Sequence, residues 1–324
     1  MEIVLATRNS DKIREIKDAF KGTGFKFLTF SDFPSFPSPE EKGKTLRENA
    51  LIKAEEVAGF TGKIALADDS GLEVDALGGA PGVYSSRFAG ENASYEDNNR
   101  KLLSLLKGIP EEKRGATFRC VIALAKPDKK KITVEGVCRG RITEHPRGEG
   151  GFGYDPVFIP EGYSRTFAEI SLEEKNRISH RARALRKARE VLEEFCRVKD
   201  KFLIGLTGNM GCGKSTVANF FEKWGFKVIR ADQVGHLLLD EEKVKEELVR
   251  VFGEDILNKD KVSRKDLRRK VCGSEEKITL LNNILHPLIK EKIWQEIKDE
   301  KIAVIEAALI FETGWDFFMR KIIT

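Results

Sequence analysis

Long apolar runs are missing from this chain. Nothing in it approaches the roughly 18 residues of a membrane-spanning helix, and charged residues make up 34% of its length. The opening MEIVLATRNSDK has an apolar stretch too short, and too quickly followed by charge, to be a secretory leader. A cytoplasmic protein with no membrane partner is expected. Cysteine is also scarce. The five cysteines, Cys120, Cys138, Cys196, Cys212 and Cys272, are odd in number, scattered and without a Cys-x-x-Cys pair. That pattern excludes a zinc knuckle and a disulfide framework and fits reduced thiols. Basic residues are not interleaved with aromatic ones, so no nucleic-acid partner is expected. With 57 Lys and Arg against 52 Asp and Glu, the net charge of +5 is modest and suits phosphorylated small molecules. Internal repeats and low-complexity tracts are absent.

What is there suffices for two different domains: at about 100–200 residues each, a chain of 324 residues can close two cores. EIVLAT (2–7) reads as a buried strand and SDKIREIKDAF as the helix after it, capped by Ser10 or Asp11. FPSFPSPEEKGKT (33–45) is proline-rich loop, TLRENALIKAEEVAGF (45–60) is helical, and KIALADDSG (63–71) is a strand running into a polar turn. After the glycine-rich LGGAPGVYSSRFAG, ATFRCVIALAKP and KKITVEGVCRGRIT alternate as a hairpin turning at PDKK. SLEEKNRISHRARALRKAREVLEEF (171–195) predicts one long charged helix. Strands and helices mix, so the first domain, 1–196, is expected to be α/β with a mixed sheet. Polar, aperiodic sequence after Cys196 places a linker at 197–201. From KFLIGLTG onward the pattern alternates: strand 202–206, helix 214–224, strand 226–230, helices from about 234 to 300, strand 302–306, and a strand beginning at KIIT. That alternation predicts a doubly wound parallel sheet over 202–324.

GNMGCGKS (208–215) fits G-x-x-x-x-G-K-[ST] in full, between an apolar strand and a helical pattern. Such glycines let backbone N–H groups turn onto phosphate oxygens. Asn209, Met210, Gly211, Cys212, Gly213, Lys214, Ser215 and Thr216 are therefore the expected ATP cradle. Lys214 brings catalytic charge to the β and γ phosphates, and Ser215 is suited to ligate Mg²⁺. VIRADQVGH sets Asp232 just past the second strand, where a carboxylate can take the proton of an attacking hydroxyl. With NNILHPLIKEKI and VIEAALIFE following in order, residues 202–324 resemble the dephospho-CoA kinase family. The resemblance implies that Asp232 is the base for the ribose 3′-hydroxyl of dephospho-CoA and that His286 belongs to the substrate pocket. Two positions depart from the family pattern: Arg230 stands where an acid is common and Ala308 where proline is usual. The resemblance also implies an arginine-bearing lid after position 324, so this half is expected to hold ATP and transfer phosphate poorly. Another nucleoside or nucleotide kinase, or a nucleotide-binding module without catalysis, is the alternative reading.

No single motif of the first domain is as specific, and five segments must be taken together. TRNSDK (7–12) follows a strand and opens a helix, so Asn9, Lys12 and nearby backbone N–H groups form an expected anion site. Alternation along ADDSG (67–71) sends Asp68 and Asp69 to opposite sides of the strand, one able to face a metal while the other braces a loop. Glu40 or Glu41 can complete a hard oxygen site for Mg²⁺. GGFGYDP (150–156) offers aromatic rings, flexible backbone and an acid to a nucleobase, and EKNRISHR (174–181) puts Lys175, Ser179 and His180 near one helical face. With TLRENALIKA between them, these segments resemble the inosine/xanthosine triphosphate pyrophosphatase family over 1–195. The resemblance implies Mg²⁺-dependent hydrolysis of non-standard purine nucleoside triphosphates to monophosphate and pyrophosphate. Residue by residue, it makes Asp69 the general base and a metal contact, and Glu40 a metal ligand. Thr7, Arg8, Asn9, Ser10, Asp11, Lys12, Ser70 and Lys175 become phosphate contacts. Phe152, Gly153, Tyr154, Asp155, His180 and Arg181 become the base pocket, with His180 or Arg181 donating to a 6-oxo group. Arg8, where glycine is frequent, adds charge beside the phosphates. A homodimer through this domain is the expected assembly.

Overall fold

Ile3, Val4 and Leu5 are all fully buried, which places the first strand, β1 (Glu2–Leu5), inside a sheet and not at its edge. The computed structural model describes every residue except 34, 37, 38, 40 and 210, so the assignments to Glu40 and Met210 lie outside the described residues. It divides the chain into two units, Met1–Glu194 and Phe195–Thr324. Among the described residues no helix is long and apolar enough to cross a membrane.

In the first unit β1 is followed by α1 (Ser10–Ala19), β2 (Lys26–Leu28), α2 (Leu46–Thr61), β3 (Ile64–Val74) and β4 (Pro81–Gly82). Then come α3 (Tyr95–Leu105), β5 (Gly115–Ala125), β6 (Lys131–Ile142), β7 (Phe158–Pro160), α4 (Leu172–Ile178) and α5 (His180–Val198). The strand order is β2-β1-β3-β5-β6-β7, with β4 on β3. β1 runs parallel to β2 and β3, and the rest pair antiparallel, giving the mixed sheet expected. Small residues Ala65, Ala67, Ala123 and Ala125 let α2 lie close on one face through Ala50, Ala54 and Val57. A second cluster, built on Leu72, Val74, Phe118 and Phe158, takes in Leu102 and Leu106 from α3 and the residue after it.

Four local expectations are corrected. β3 does not end at Asp69 but pairs with β5 from Ala65 to Val74, because LEV continues the alternation and β5 offers a partner throughout. The long helix over 171–195 breaks at Ser179, whose extended backbone (ψ 158°) ends α4. There the Ser179 hydroxyl accepts from the N–H of Ala182 and starts α5 afresh. α5 then runs on to Val198, which is buried, so the first residues of the expected linker are helical. The cap of α1 is Asn9 and not Ser10 or Asp11: its side chain accepts from the N–H groups of Asp11 and Lys12.

In the second unit the elements are β8 (Phe202–Leu206), α6 (Lys214–Lys223), β9 (Lys227–Arg230), α7 (Ala231–Leu238), α8 (Glu242–Phe252) and the short hairpin β10 (Leu257–Asn258) and β11 (Lys261–Val262). They continue with α9 (Arg264–Val271), α10 (Glu275–Glu296), β12 (Ile302–Glu306) and β13 (Lys321–Ile323). The sheet order is β13-β8-β12-β9, all parallel, as the alternation predicts. The crevice at the carboxyl ends of such strands is where ligands bind, and here it collects the loop after β8, the start of α7 and the end of β12. Gly213 at the N-terminus of α6 has φ 90°, a left-handed conformation that a side chain would strain.

One close approach aims the first unit's α5. A Cβ built on Gly136 of β6 would lie 2.1 Å from the carbonyl oxygen of His180 and 2.4 Å from the backbone nitrogen of Ala184. Backbone on both sides leaves nothing flexible to give way. Gly136→Ala is therefore expected to lower stability by about 1–3 kcal/mol and to displace His180 and Arg181. Thermal unfolding together with ligand affinity would check this, and a variant unchanged in both would refute the packing argument.

Candidate functional site

The first unit encloses a cavity of about 340 Å³ lined by charged side chains and aromatic rings together. β3 supplies the charge on both of its faces. Asp69 points toward α2, where Lys53 donates to its Oδ1 at 2.8 Å and Asn49 to its Oδ2 at 3.4 Å. Asp68 points the other way, with Lys12 Nζ at 3.1 Å and Arg181 Nε at 3.2 Å from its Oδ2. The two sides expected from alternation are thus occupied by two separate cation sets. Lys53 also bonds Glu41 Oε1 at 3.2 Å and the Asp68 carbonyl at 2.8 Å. Among its aromatic residues Phe118 stacks on His180, with centroids 4.4 Å apart, and Phe152 lies 4.6 Å from Lys175 Nζ. Tyr154 donates its hydroxyl to the Ser85 carbonyl at 2.9 Å.

Electrostatics separates the two adjacent acids. Burial pushes the Asp69 carboxyl above its ordinary range, and Lys53 only partly opposes it, so this group is the more basic carboxylate. Burial acts on Asp68 too, but Lys12 and Arg181 outweigh it and hold that carboxyl well below its usual range. Asp155 is raised by burial against the pull of Lys175, 2.6 Å away. Desolvation, reinforced by Arg181 and Lys175, drives His180 far below the usual histidine value, so its imidazole is neutral. Among the described residues its Nδ1 has no hydrogen-bond partner.

Most residues expected from the sequence meet here. Thr7, Arg8, Asn9, Lys12, Asp69, Ser70, Phe152, Gly153, Tyr154, Asp155, Lys175, His180 and Arg181 line the cavity; Ser10 and Asp11 do not. Because Asn9 already takes the N–H groups of Asp11 and Lys12, the expected anion site at the helix start is reduced to side chains and neighbouring loop. Arg181 commits three of its donors to Asp68, Glu15 and Ser70. Sequence reasoning missed Lys53 and Glu15. Their signal was present: Asn49 and Lys53 sit four apart on a helix face otherwise made of Ala50, Ala54 and Val57, and Glu15 lies beside Ile16 on the buried side of α1.

Among the described residues no group of three or more His, Cys, Asp or Glu gathers as a metal site. Two hard oxygen donors, Asp69 and Glu41, do converge on the single ammonium of Lys53. A divalent cation suits that donor chemistry.

In the second unit the Lys214 ammonium sits over its own loop, bonding the carbonyls of Gly208 at 2.6 Å and Asn209 at 2.9 Å. The Ser215 hydroxyl donates to Glu306 Oε1 at 2.9 Å. Glu306, the last residue of β12, was not singled out in the sequence, although it is the carboxylate that closes the apolar strand VIE. Arg230 explains its own departure from the expected acid: its Nε lies 3.3 Å from Glu306, and its other nitrogens bond Glu222 and Asn219 of α6. Asp232, in the first turn of α7, and His286, in α10, line one cavity of about 460 Å³, as their pairing in the sequence reading requires. Burial, then Lys290, lowers the His286 pKa.

A family model described as the Ham1 family matches residues 3–191, and one described as dephospho-CoA kinase matches residues 202–324. A protein of Desulforamulus reducens named dITP/XTP pyrophosphatase is 54% identical over 195 residues, which is 60% of this chain and 97% of that protein. One of the same name from Geobacter sulfurreducens is 56% identical over 183 residues, 56% of this chain and 92% of its own length. A solved structure, a HAM1 protein from Coxiella burnetii, is 45% identical with TM-score 0.56, covering 60% of this chain and 99% of that one.

The opposition between burial and Lys53 at Asp69 can be read directly. In Lys53→Met the burial of Asp69 is left less opposed, so its titration midpoint, followed by carbon NMR of labelled aspartate, should move to higher pH. A midpoint that stays put or falls would show that Lys53 is not the charge that holds Asp69 ionised.

Proposed function

Since the chain belongs to the Ham1 family and carries a dephospho-CoA kinase region at 202–324, we propose that it is a bifunctional enzyme. The first unit hydrolyses dITP, ITP and XTP to monophosphate and pyrophosphate, and the second transfers phosphate from ATP to the 3′-hydroxyl of dephospho-CoA. The observation that carries the first half is Asp69: a carboxyl made basic by burial, lining a cavity that also holds lysines and aromatic rings.

Water is a poor nucleophile, so hydrolysis needs a base within the cavity. Asp69 takes one proton from water; the hydroxide forms a bond to the α-phosphorus as the bond to the bridging oxygen breaks, and the electron pair leaves with pyrophosphate. Lys12 and Arg8 hold the negative tail, while the three donors of Lys53 are given to Asp69, Glu41 and the Asp68 carbonyl. Asp69 and Glu41, together with Glu40, would hold Mg²⁺, which would neutralise charge on the polyphosphate. At the other end Phe152 and Tyr154 flank the base. His180, neutral and with a free ring nitrogen, reads the purine edge, while Arg181 is spent largely on bracing Glu15 and Asp68. In the second unit Lys214 and Ser215 take the ATP phosphates and metal, and Asp232 takes the proton of the acceptor hydroxyl. As part of the same proposal the first unit forms a homodimer. A mass of 36.5 kDa by light scattering at working concentration would remove that part.

Product analysis tests both halves. The wild-type chain is expected to release pyrophosphate from dITP, and Asp69→Asn to lose at least about a hundredfold of that rate while retaining ATP binding. Lys214→Ala should do the reverse, abolishing ATP binding in the second unit and leaving dITP hydrolysis intact. Orthophosphate as the product, or full hydrolysis by Asp69→Asn, would defeat the assigned chemistry.

A further inference from the structure

Asn49 of α2 is fully buried beside Asp69, yet it does not line the cavity, so it touches no ligand there. Its side-chain amide is held at both ends. The oxygen Oδ1 accepts from the backbone N–H of Gly43 at 2.7 Å, and Nδ2 donates to Asp69 Oδ2 at 3.4 Å. The first bond fixes which way the amide faces, because only the oxygen can accept from an N–H. Gly43 belongs to the segment that carries Glu41, and it is pressed onto the start of α2. A Cβ built on Gly43 would lie 2.7 Å from Asn49 Oδ1 and from Glu48 Cβ, and 2.8 Å from the Asn49 backbone nitrogen. The N–H of Lys44 adds a second tie, donating to Glu48 Oε2 at 2.6 Å. The two oxygens of Asp69 are served unequally. Oδ1 receives the charged Lys53 ammonium at 2.8 Å, whereas among the described residues the neutral Asn49 amide is the only hydrogen-bond donor to Oδ2. Charge-assisted bonds are roughly twice as strong as neutral ones, so Oδ1 is bound up while Oδ2 is held in direction and keeps its lone pairs available.

We propose that Asn49 is a positioning residue for the hydrolysis: it aims Asp69 Oδ2, the oxygen that takes the proton of the attacking water, and does so only while Gly43 is seated on α2. The proposal rests on the pyrophosphatase reading of the first unit and adds to it the atom that accepts the proton and the contact that aims it. In that step one O–H bond of water breaks and its proton goes to Oδ2. The hydroxide bonds to the α-phosphorus, and the electron pair of the cleaved bond leaves with pyrophosphate. Asn49 and Lys53 stand four apart on the buried face of α2, so one helix sets both oxygens of the base. Both residues also hold the segment before α2, Lys53 through Glu41 Oε1 at 3.2 Å and Asn49 through Gly43. A shift of that segment therefore reaches Asp69 through a single amide. When Gly43 leaves, Asn49 is free to turn, and Oδ2 loses its donor.

Two replacements separate the two bonds of this amide. Asn49→Asp keeps the shape and an oxygen for Gly43 but removes the donor to Asp69, and Asn49→Ala removes both. On the full chain, kcat and KM for dITP are measured well below each variant's melting temperature, and hydrogen exchange at the Gly43 amide is followed by NMR with nitrogen-labelled glycine. Asn49→Asp is expected to lower kcat about tenfold or more, with KM within about twofold of wild type, and to leave Gly43 protected, which shows that the loss is not unfolding. Asn49→Ala is expected to lower kcat at least as far and to speed exchange at Gly43 about tenfold. Wild-type kcat in Asn49→Asp, or a loss that appears in KM instead, would overturn the proposal, as would unchanged Gly43 protection in Asn49→Ala. If Asn49→Asp does not fold, Asn49→Ala decides alone by the same measures. Failure of the wild type to release pyrophosphate from dITP would defeat the pyrophosphatase reading itself.

Discussion

Among the described residues four acids sit inside the first unit, and none of them can be there alone. Glu15, Asp68, Asp69 and Asp155 are all under a tenth exposed, and an unpaired buried carboxylate costs several kcal/mol. Each is matched by a cation from another part of the chain: Glu15 by Lys175 and Arg181, Asp155 by Lys175, Asp68 by Lys12 and Arg181, Asp69 by Lys53. The pairs join α1, α2, β3, the loop before β7, α4 and α5. Folding the unit and assembling its charged cavity are therefore one event. The same pairing makes the acids unequal, since Asp68 receives two strong partners and Asp69 one, and only the less satisfied of the two is basic enough to accept a proton.

How much of this was legible follows from what each signal depends on. The phosphate loop is local, a run of glycines with Lys214 and Ser215 whose roles follow from spacing, and the structure puts it between β8 and α6 as read. The alternation of Asp68 and Asp69 is local too. Lys53, Glu15 and Glu306 were missed because each looks like an ordinary surface charge until a strand or helix distant in sequence covers it. Helix boundaries failed for the same reason. Ser179 sits in a run of strong helix formers, and only the partners available to Lys175, His180 and Arg181 on either side make a break worthwhile. The residues that share this cavity were readable as a set, but the commitment of Arg181 depended on Glu15.

In the second unit one of the two residues that depart from the family pattern, Arg230, is built in and not merely tolerated. Arg230 ties the end of β9 to Glu222 and Asn219 on α6 and to Glu306 on β12, and Glu306 in turn holds Ser215. The loop's hydroxyl is thus oriented by a chain of charges that begins on the neighbouring strand. An acid at position 230 would repel Glu306 and Glu222, so the three positions form a set that can change only together.

The interruption at Ser179 has a bearing on how this protein can be improved or can drift. Helix-favouring replacements are a common route to higher melting temperatures, and Ser179 is a buried serine standing between two helices. Here the kink sets the bearing of the imidazole and guanidinium that follow it, so a straighter, more heat-resistant helix would turn both away from the cavity. Robustness and recognition pull against each other at this one backbone position.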